Sequence, residues 1–192
     1  LFNMANTDNP DGFRPVKTIS GAPISGMLRA IIPGADDLFI GDPISITAGA
    51  AVQAAVEGIV AGVVVGFGSV DDDGNLQALH SGDTMKNWFD TSADVEANYR
   101  VIYVPAEGVL FEAQFDDTED IVVGEAYDLL ATDGNSTTGR SQMEIDGDAL
   151  TNDGDVMVVE APIGPAYDQT SGTANKRVYV TFVDKQFAAP IA

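Results

Sequence analysis

Acid–base or nucleophilic chemistry near neutral pH points first to imidazole, and this chain carries one histidine, His80. It stands in Leu79-His80-Ser81-Gly82-Asp83, with a hydroxyl and a carboxylate close by in sequence. A catalytic triad is an arrangement in space, however, and Ser, Gly and Asp are ordinary loop residues. His80 therefore reads as a solvent-facing loop histidine. Carboxylate pairs of the glycosidase kind carry no specificity here, because with thirty acids some pair always falls at a suitable separation.

Clustered acids also invite calcium. Asp71-Asp72-Asp73-Gly74-Asn75, Asp116-Asp117-Thr118-Glu119-Asp120, and Asp146-Gly147-Asp148 with Asp153-Gly154-Asp155 are the candidates. An EF-hand loop needs Gly at its sixth position and a bidentate acid at its twelfth. Counted from Asp71 these positions are Leu76 and Gly82, and counted from Asp153 the pattern fails already at Met157. The clusters read as solvated turns. With no cysteine and one histidine, the common zinc sites are excluded by count. Gly66-Phe67-Gly68-Ser69-Val70-Asp71 begins like a dinucleotide-binding loop but ends on Asp, and no phosphate-binding Gly-Lys loop exists. Asn135-Ser136-Thr137 is a formal glycosylation sequon, and outside a secreted eukaryotic protein it is a polar loop. No enzyme and no cofactor emerges.

The distribution of charge is more informative. The chain has nine basic and thirty acidic residues, a net charge of −21. Residues 1–30 hold Arg14, Lys17 and Arg29 against Asp8 and Asp11, so the front is nearly neutral and the acidity lies behind it. Such a body repels nucleic acid, anionic membrane and copies of itself. Nucleic acid and membrane are accordingly not expected partners. No apolar run is long enough for a membrane helix, and LFNMANTDNPDGF has neither the basic nor the apolar region of a secretory leader.

The elements that would position any site are β-strands. Lys176–Val183 alternates with Val178, Val180 and Phe182 on one face. Tyr99–Val104 and Val109–Phe115 flank Pro105-Ala106-Glu107-Gly108, which predicts a hairpin. On its second strand Phe111, Ala113 and Phe115 share the core face, leaving Glu112 and Gln114 for the wet one. Further strands are expected at Ile24–Ile32, Ile44–Thr47, Gly58–Phe67, Leu76–Leu79, Ala126–Leu130, Gln142–Ile145 and Val156–Glu160, separated by Gly/Asp turns. Ala48–Glu57 fits either a short helix or a loop, and Ser81–Asp94, with the single tryptophan Trp88, reads as a long aromatic-pinned loop. The fold class implied is all-β: an antiparallel β-sandwich or barrel with an extended N-terminal arm and long acidic loops. Residues 1–23, punctuated by Pro10, Pro15 and Pro23, form the arm, and residues 24–192 a single β-rich domain.

Four short stretches carry a resemblance. They are Asn9-Pro10-Asp11-Gly12-Phe13-Arg14-Pro15-Val16 with Gly21-Ala22-Pro23, Gly41-Asp42-Pro43, Gly62-Val63-Val64-Val65-Gly66-Phe67, and the run Val104 to Phe115. Their order and spacing resemble small virion proteins of tailed double-stranded DNA viruses. The resemblance implies a capsid decoration (cement, head-stabilising) protein, commonly trimeric, on the exterior of an icosahedral shell. It implies the major capsid protein as partner, and host cytoplasm during assembly. The acidic loops such as Asp116–Asp120 depart from that pattern. On this reading Asn9, Pro10, Gly12, Phe13, Arg14, Pro15, Val16 and Lys17 touch the capsid, with Phe13 as apolar anchor and Arg14 as a charge-assisted contact. Three-fold association would match local symmetry axes, and three arms would gain avidity. The alternative from another class is a β-sandwich adhesin or carbohydrate-binding module with an aromatic platform at Trp88. A glycoside hydrolase is the remaining option.

Overall fold

The computed structural model describes residues 6–71, 88–94, 98–118, 120–151, 154–162 and 167–186, with side chains left out at 149–151. The elements are β1 Arg14–Thr18, a 3-10 helix Ile24–Met27, β2 Arg29–Pro33, β3 Leu38–Phe39, β4 Pro43–Thr47, β5 Ala50–Gln53, β6 Gly62–Ser69, β7 Trp88–Phe89, β8 Tyr99–Pro105, β9 Val109–Gln114, β10 Ala126–Leu130, β11 Glu144–Thr151, β12 Val156–Glu160 and β13 Arg177–Phe182. Five strands close a barrel in the order β2-β5-β4-β6-β8, and six form an antiparallel sheet in the order β1-β9-β13-β12-β10-β11. The sheet curls until Phe115, just past β9, bridges Ile145 on β11. The all-β expectation is met, with a barrel and a curled sheet side by side. The expected strand at Leu76–Leu79, His80 with Ser81 and Asp83, and the acids from Asp72 to Asp73 lie outside the described residues.

Alternation along each strand explains how the two units share one interior. On β6, Val64 faces a core inside the barrel with Leu38, Ile44, Phe67, Phe89, Val101 and Tyr103. Its neighbour Val63 faces the opposite way, into a second core with Phe13, Phe111, Phe115, Tyr127, Ile145 and Phe182. Tyr103 and Val104 of β8 divide in the same manner. The barrel wall is therefore apolar on both faces where the sheet packs on it. Polar groups fasten the same seam. Buried Asp155 accepts from the backbone N–H of Glu57 at 3.1 Å and of Leu129 at 2.9 Å, one beside the barrel and one on β10. Gln186 pairs with both backbone groups of Ile46 on β4, at 2.7 and 2.8 Å.

Three local expectations are corrected. Tyr99–Val104 and Val109–Phe115 are strands, but not a hairpin. β8 has both edges occupied by β2 and β6, and β9 has both occupied by β1 and β13, so the turn at residues 105–108 carries the chain from barrel to sheet. Ala48–Glu57 is not a helix, and only part of it is loop: it opens with a tight turn at Ala48 (φ 51°) and Gly49 (φ 85°), forms β5 over Ala50–Gln53 against β4, and returns to irregular chain after Gln53. Two consecutive residues at positive φ match the twist of flanking strands, which overrides the helix propensity of the alanines. The first part of Ile24–Ile32 is a single 3-10 turn, and only Arg29–Pro33 is strand.

Two glycines of β6 separate packing from conformation. A Cβ on Gly62 would fall 2.3 Å from the Val104 carbonyl oxygen, whereas one on Gly66 would meet nothing within 4 Å. Gly62→Ala is expected to lower stability by about 2–3 kcal/mol through forced separation of β6 from β8. Gly66→Ala is expected to be neutral or to stabilise by about 0.5 kcal/mol, since it restricts the unfolded chain without a clash. Urea unfolding midpoints of the two variants measure the contrast.

Candidate functional site

The segment expected to reach out to a partner is folded into the body. Residues 6–13 cross the sheet's outer face, and Arg14–Thr18 become its edge strand, β1, in register with β9 from Arg14↔Glu112 to Thr18↔Val109. The side chain of Asn6 donates to the carbonyls of Asp168 and Ala174, and Asn9 N–H reaches Gln114 Oε1 at 3.4 Å. Phe13 is 1% exposed, packed against Phe182 at a ring separation of 5.3 Å. Its N–H donates to the Gly41 carbonyl at 2.8 Å. This corrects the expectation of an exposed anchor at Phe13. A phenyl ring gains more from a preformed core than from water, and the core of this protein has a place for it. Arg14 and Lys17 are likewise engaged within the chain, Arg14 with Glu112 at 2.8 Å and Lys17 with Glu160 at 2.9 Å and over the Tyr179 ring.

Parts of the four stretches behind the family resemblance are linked by a chain of backbone contacts. Gly12 (φ +68°) and Gly41 (φ +101°) are in backbone contact: a Cβ on Gly12 would lie 2.5 Å from the Gly41 oxygen, and one on Gly41 2.3 Å from the Asp11 oxygen. Gly41 N–H continues to the Val64 carbonyl at 2.9 Å, Pro43 pairs with Val63, and Ala106 N–H donates to Ala61 at 3.0 Å. The residues Asn9 to Val16 thus serve the junction of sheet and barrel.

Under this segment lies a polar cluster that sequence alternation assigned to solvent. Glu112 and Gln114 do point away from the core, but they are buried, at 3% and 1% exposure. Glu112 receives Arg14, Arg177 at 3.2 Å and the Tyr167 hydroxyl at 2.9 Å. Arg177 also donates to the Asn9 carbonyl at 2.7 Å. Gln114 donates to Glu144 at 2.8 Å and faces Asp8 and Asn175. The hydrogen bonds from Tyr167 to Glu112 and Tyr179 push that phenol up to about 12. Burial pushes the Glu144 carboxyl up to about 7, with Asp8 adding to the effect and the Gln114 hydrogen bond opposing it. Glu112 is held by three donors and Gln114 bridges to Glu144, so the cluster clamps the N-terminal segment.

Two other features are open to solvent. A cavity of about 450 Å³ is bounded by Asp36, Asp37, Gln53, Trp88, Thr91 and Asp133 among others. Its aromatic wall is Trp88 stacked on Phe39, at 5.2 Å and 3° between planes. Behind it sits buried Asp42, whose carboxyl burial pushes up to about 7 while Ser141 and the Phe39 N–H pull it back. The second feature is the stretch Ile19–Ile32, which contains no buried residue although Ile19, Leu28 and Ile32 are 65%, 46% and 42% exposed. From Gly12 to Ala35 it and its flanks contain no acidic residue. Among the described residues no three acidic or histidine side chains gather as a metal site.

What these residues define is an all-β protein of a closed barrel fused to a curled sheet. No protein-family model, no curated protein and no solved structure matches the chain.

Phe13→Ala is expected to cost about 3–5 kcal/mol of stability as a core truncation. Arg14→Ala is expected to cost no more than about 1 kcal/mol, because Arg177 and Tyr167 still hold Glu112. Chemical denaturation of both variants tests the pair. Glu144 provides a pH signature. Its folded carboxyl titrates near 7 against an ordinary value of 4.5, so the native state keeps a proton that the unfolded chain has lost. Its contribution is full below about pH 4.5 and is lost as pH rises through about 7. Glu144→Gln is expected to flatten the fall in unfolding midpoint between pH 5 and pH 8, measured against wild type.

Proposed function

We propose that the chain is a structural virion protein, a capsid decoration protein that binds the outer surface of an icosahedral shell and stabilises contacts between capsomers. The observation that carries the reading is the contrast between a net charge of −21 and one long exposed stretch with no acidic residue. A strongly acidic globule stays soluble and avoids its own copies, while an acid-free apolar face can adhere. The four stretches whose order and spacing resemble decoration proteins are the sequence support for the reading. Assembly on a shell as a trimer, with the major capsid protein as partner, belongs to the same proposal.

The reading asks for no turnover, and the polar groups of the body are engaged in holding the N-terminal segment and the seam. The basic side chains Arg14 and Lys17 act inside the protein in this picture, and the contact with the shell falls to neighbouring surface. The test is cosedimentation of the purified chain with shells stripped of decoration. Saturable binding at a fixed ratio to capsomers, with a rise in the temperature at which shells rupture, is expected. Absence of binding at micromolar concentration would remove the proposal.

The cavity beside Trp88 favours a second reading, a surface adhesin or carbohydrate-binding module. An indole wall with carboxylate, amide and hydroxyl groups around it is chemistry that suits a sugar ring. Oligosaccharide binding that is lost in Trp88→Ala, together with failure to bind shells, would favour this alternative.

A further inference from the structure

Within that stretch the outward row of β2 stands apart. On a barrel strand successive side chains point in and out, and the outward set should be polar if it faces water. Ile31 points inward and packs on the barrel core, and Pro33 is buried. The alternate positions, Leu28 just before the strand and then Ala30 and Ile32, are exposed and all apolar. Across the β2–β8 pairing Ala30 lies opposite Ile102, which is itself buried, so the exposed apolar row is confined to β2. Ile19, also exposed, follows β1 and donates its N–H to the Gly108 carbonyl in the turn after β8.

The charges around this row are arranged by sign. Arg29 is its basic residue and spends its guanidinium on the carbonyls of Met27 and Leu28. The acids begin at its ends: Glu107 in the turn after β8, and Asp36 and Asp37 beyond β2, where Asp36 accepts from Gln53 N–H of β5. An apolar centre with acidic ends calls for a partner with an apolar centre and basic ends. A second copy of this chain fits poorly. It offers acids where cations are needed and brings two bodies of −21 together.

We infer that the Leu28–Ala30–Ile32 row of β2 is the face that docks on the shell protein, against an apolar patch rimmed by Lys or Arg. The inference rests on the decoration reading and moves the contact from Asn9–Lys17 to the outer wall of the barrel. The edge of β1 is a poor substitute, since Pro15 and the irregular pairing between Pro15 and Lys17 blunt it against strand addition.

The test compares wild type with Leu28→Asp/Ile32→Asp in cosedimentation with stripped shells, with Val123→Asp as a control at an exposed apolar site on a distant loop. Leu28→Thr/Ile32→Thr, which keeps strand-forming residues, guards against misfolding. Both double variants are expected to weaken binding, the aspartate pair by about tenfold or more, while the control binds as wild type does. If wild type binds and the double variants bind equally well, the face is wrong although decoration stands. If wild type does not bind shells, decoration and the face fall together. Sedimentation of the free protein covers the remaining case: wild-type oligomers that the double variants dissolve would make the row a self-interface and overturn the inference.

Discussion

The contact between the backbones of Asp11-Gly12 and Gly41 is the constraint on which the rest of the molecule leans. It fixes where the N-terminal segment enters, and from there Phe13 drops into the core shared by sheet and barrel. Gly41 in turn is bonded to Val64, so the same node fixes the register of the barrel against the sheet. Only glycine allows two backbones this close at positive φ. The junction therefore depends on the absence of side chains at two points as much as on the large rings packed around them.

Once the segment is seated, the polar residues under it acquire a purpose. Glu112 and Gln114 face outward from β9, where water would be the default. Residues 6–14 and the loop leading to β13 cover them, and burying such groups is tolerable only with complete pairing. Arg14, Arg177, Tyr167, Asn9 and Glu144 supply that pairing. The result is a clamp whose strength comes from low dielectric, and whose cost is a carboxyl at Glu144 that prefers its proton near neutrality.

The function proposed follows from what this folding leaves over. Arg14 and Lys17 pair with carboxylates of the chain and Arg29 with neighbouring carbonyls, while the whole carries a net charge of −21. The exposed apolar wall of β2 is the surface proposed to adhere, and the Trp88 cavity, with an indole among polar groups, carries the competing proposal. Both are properties of assembled surfaces, and each is made of residues distant from the clamp.

The strands themselves were legible in the sequence, because alternation and Gly/Asp turns are local. β13, β12, β10 and the core faces of β9 and β13 stand where the pattern of Val, Ile and Phe puts them. The charge contrast between front and body was also local information. Pairing was not. Pro105–Gly108 has the composition of a hairpin turn, yet strand edges already taken by distant partners send β8 and β9 into different units. The three prolines and short motifs before residue 24 suggested an extended arm docked on another protein, and only packing against Phe182 made Phe13 a core residue. Sequence alone determined that this chain is a β-rich acidic body with a nearly neutral front. Tertiary structure decided which of those front residues are buried and which remain outside, because burial depends on surfaces contributed by strands up to 170 residues away, and no local pattern records them.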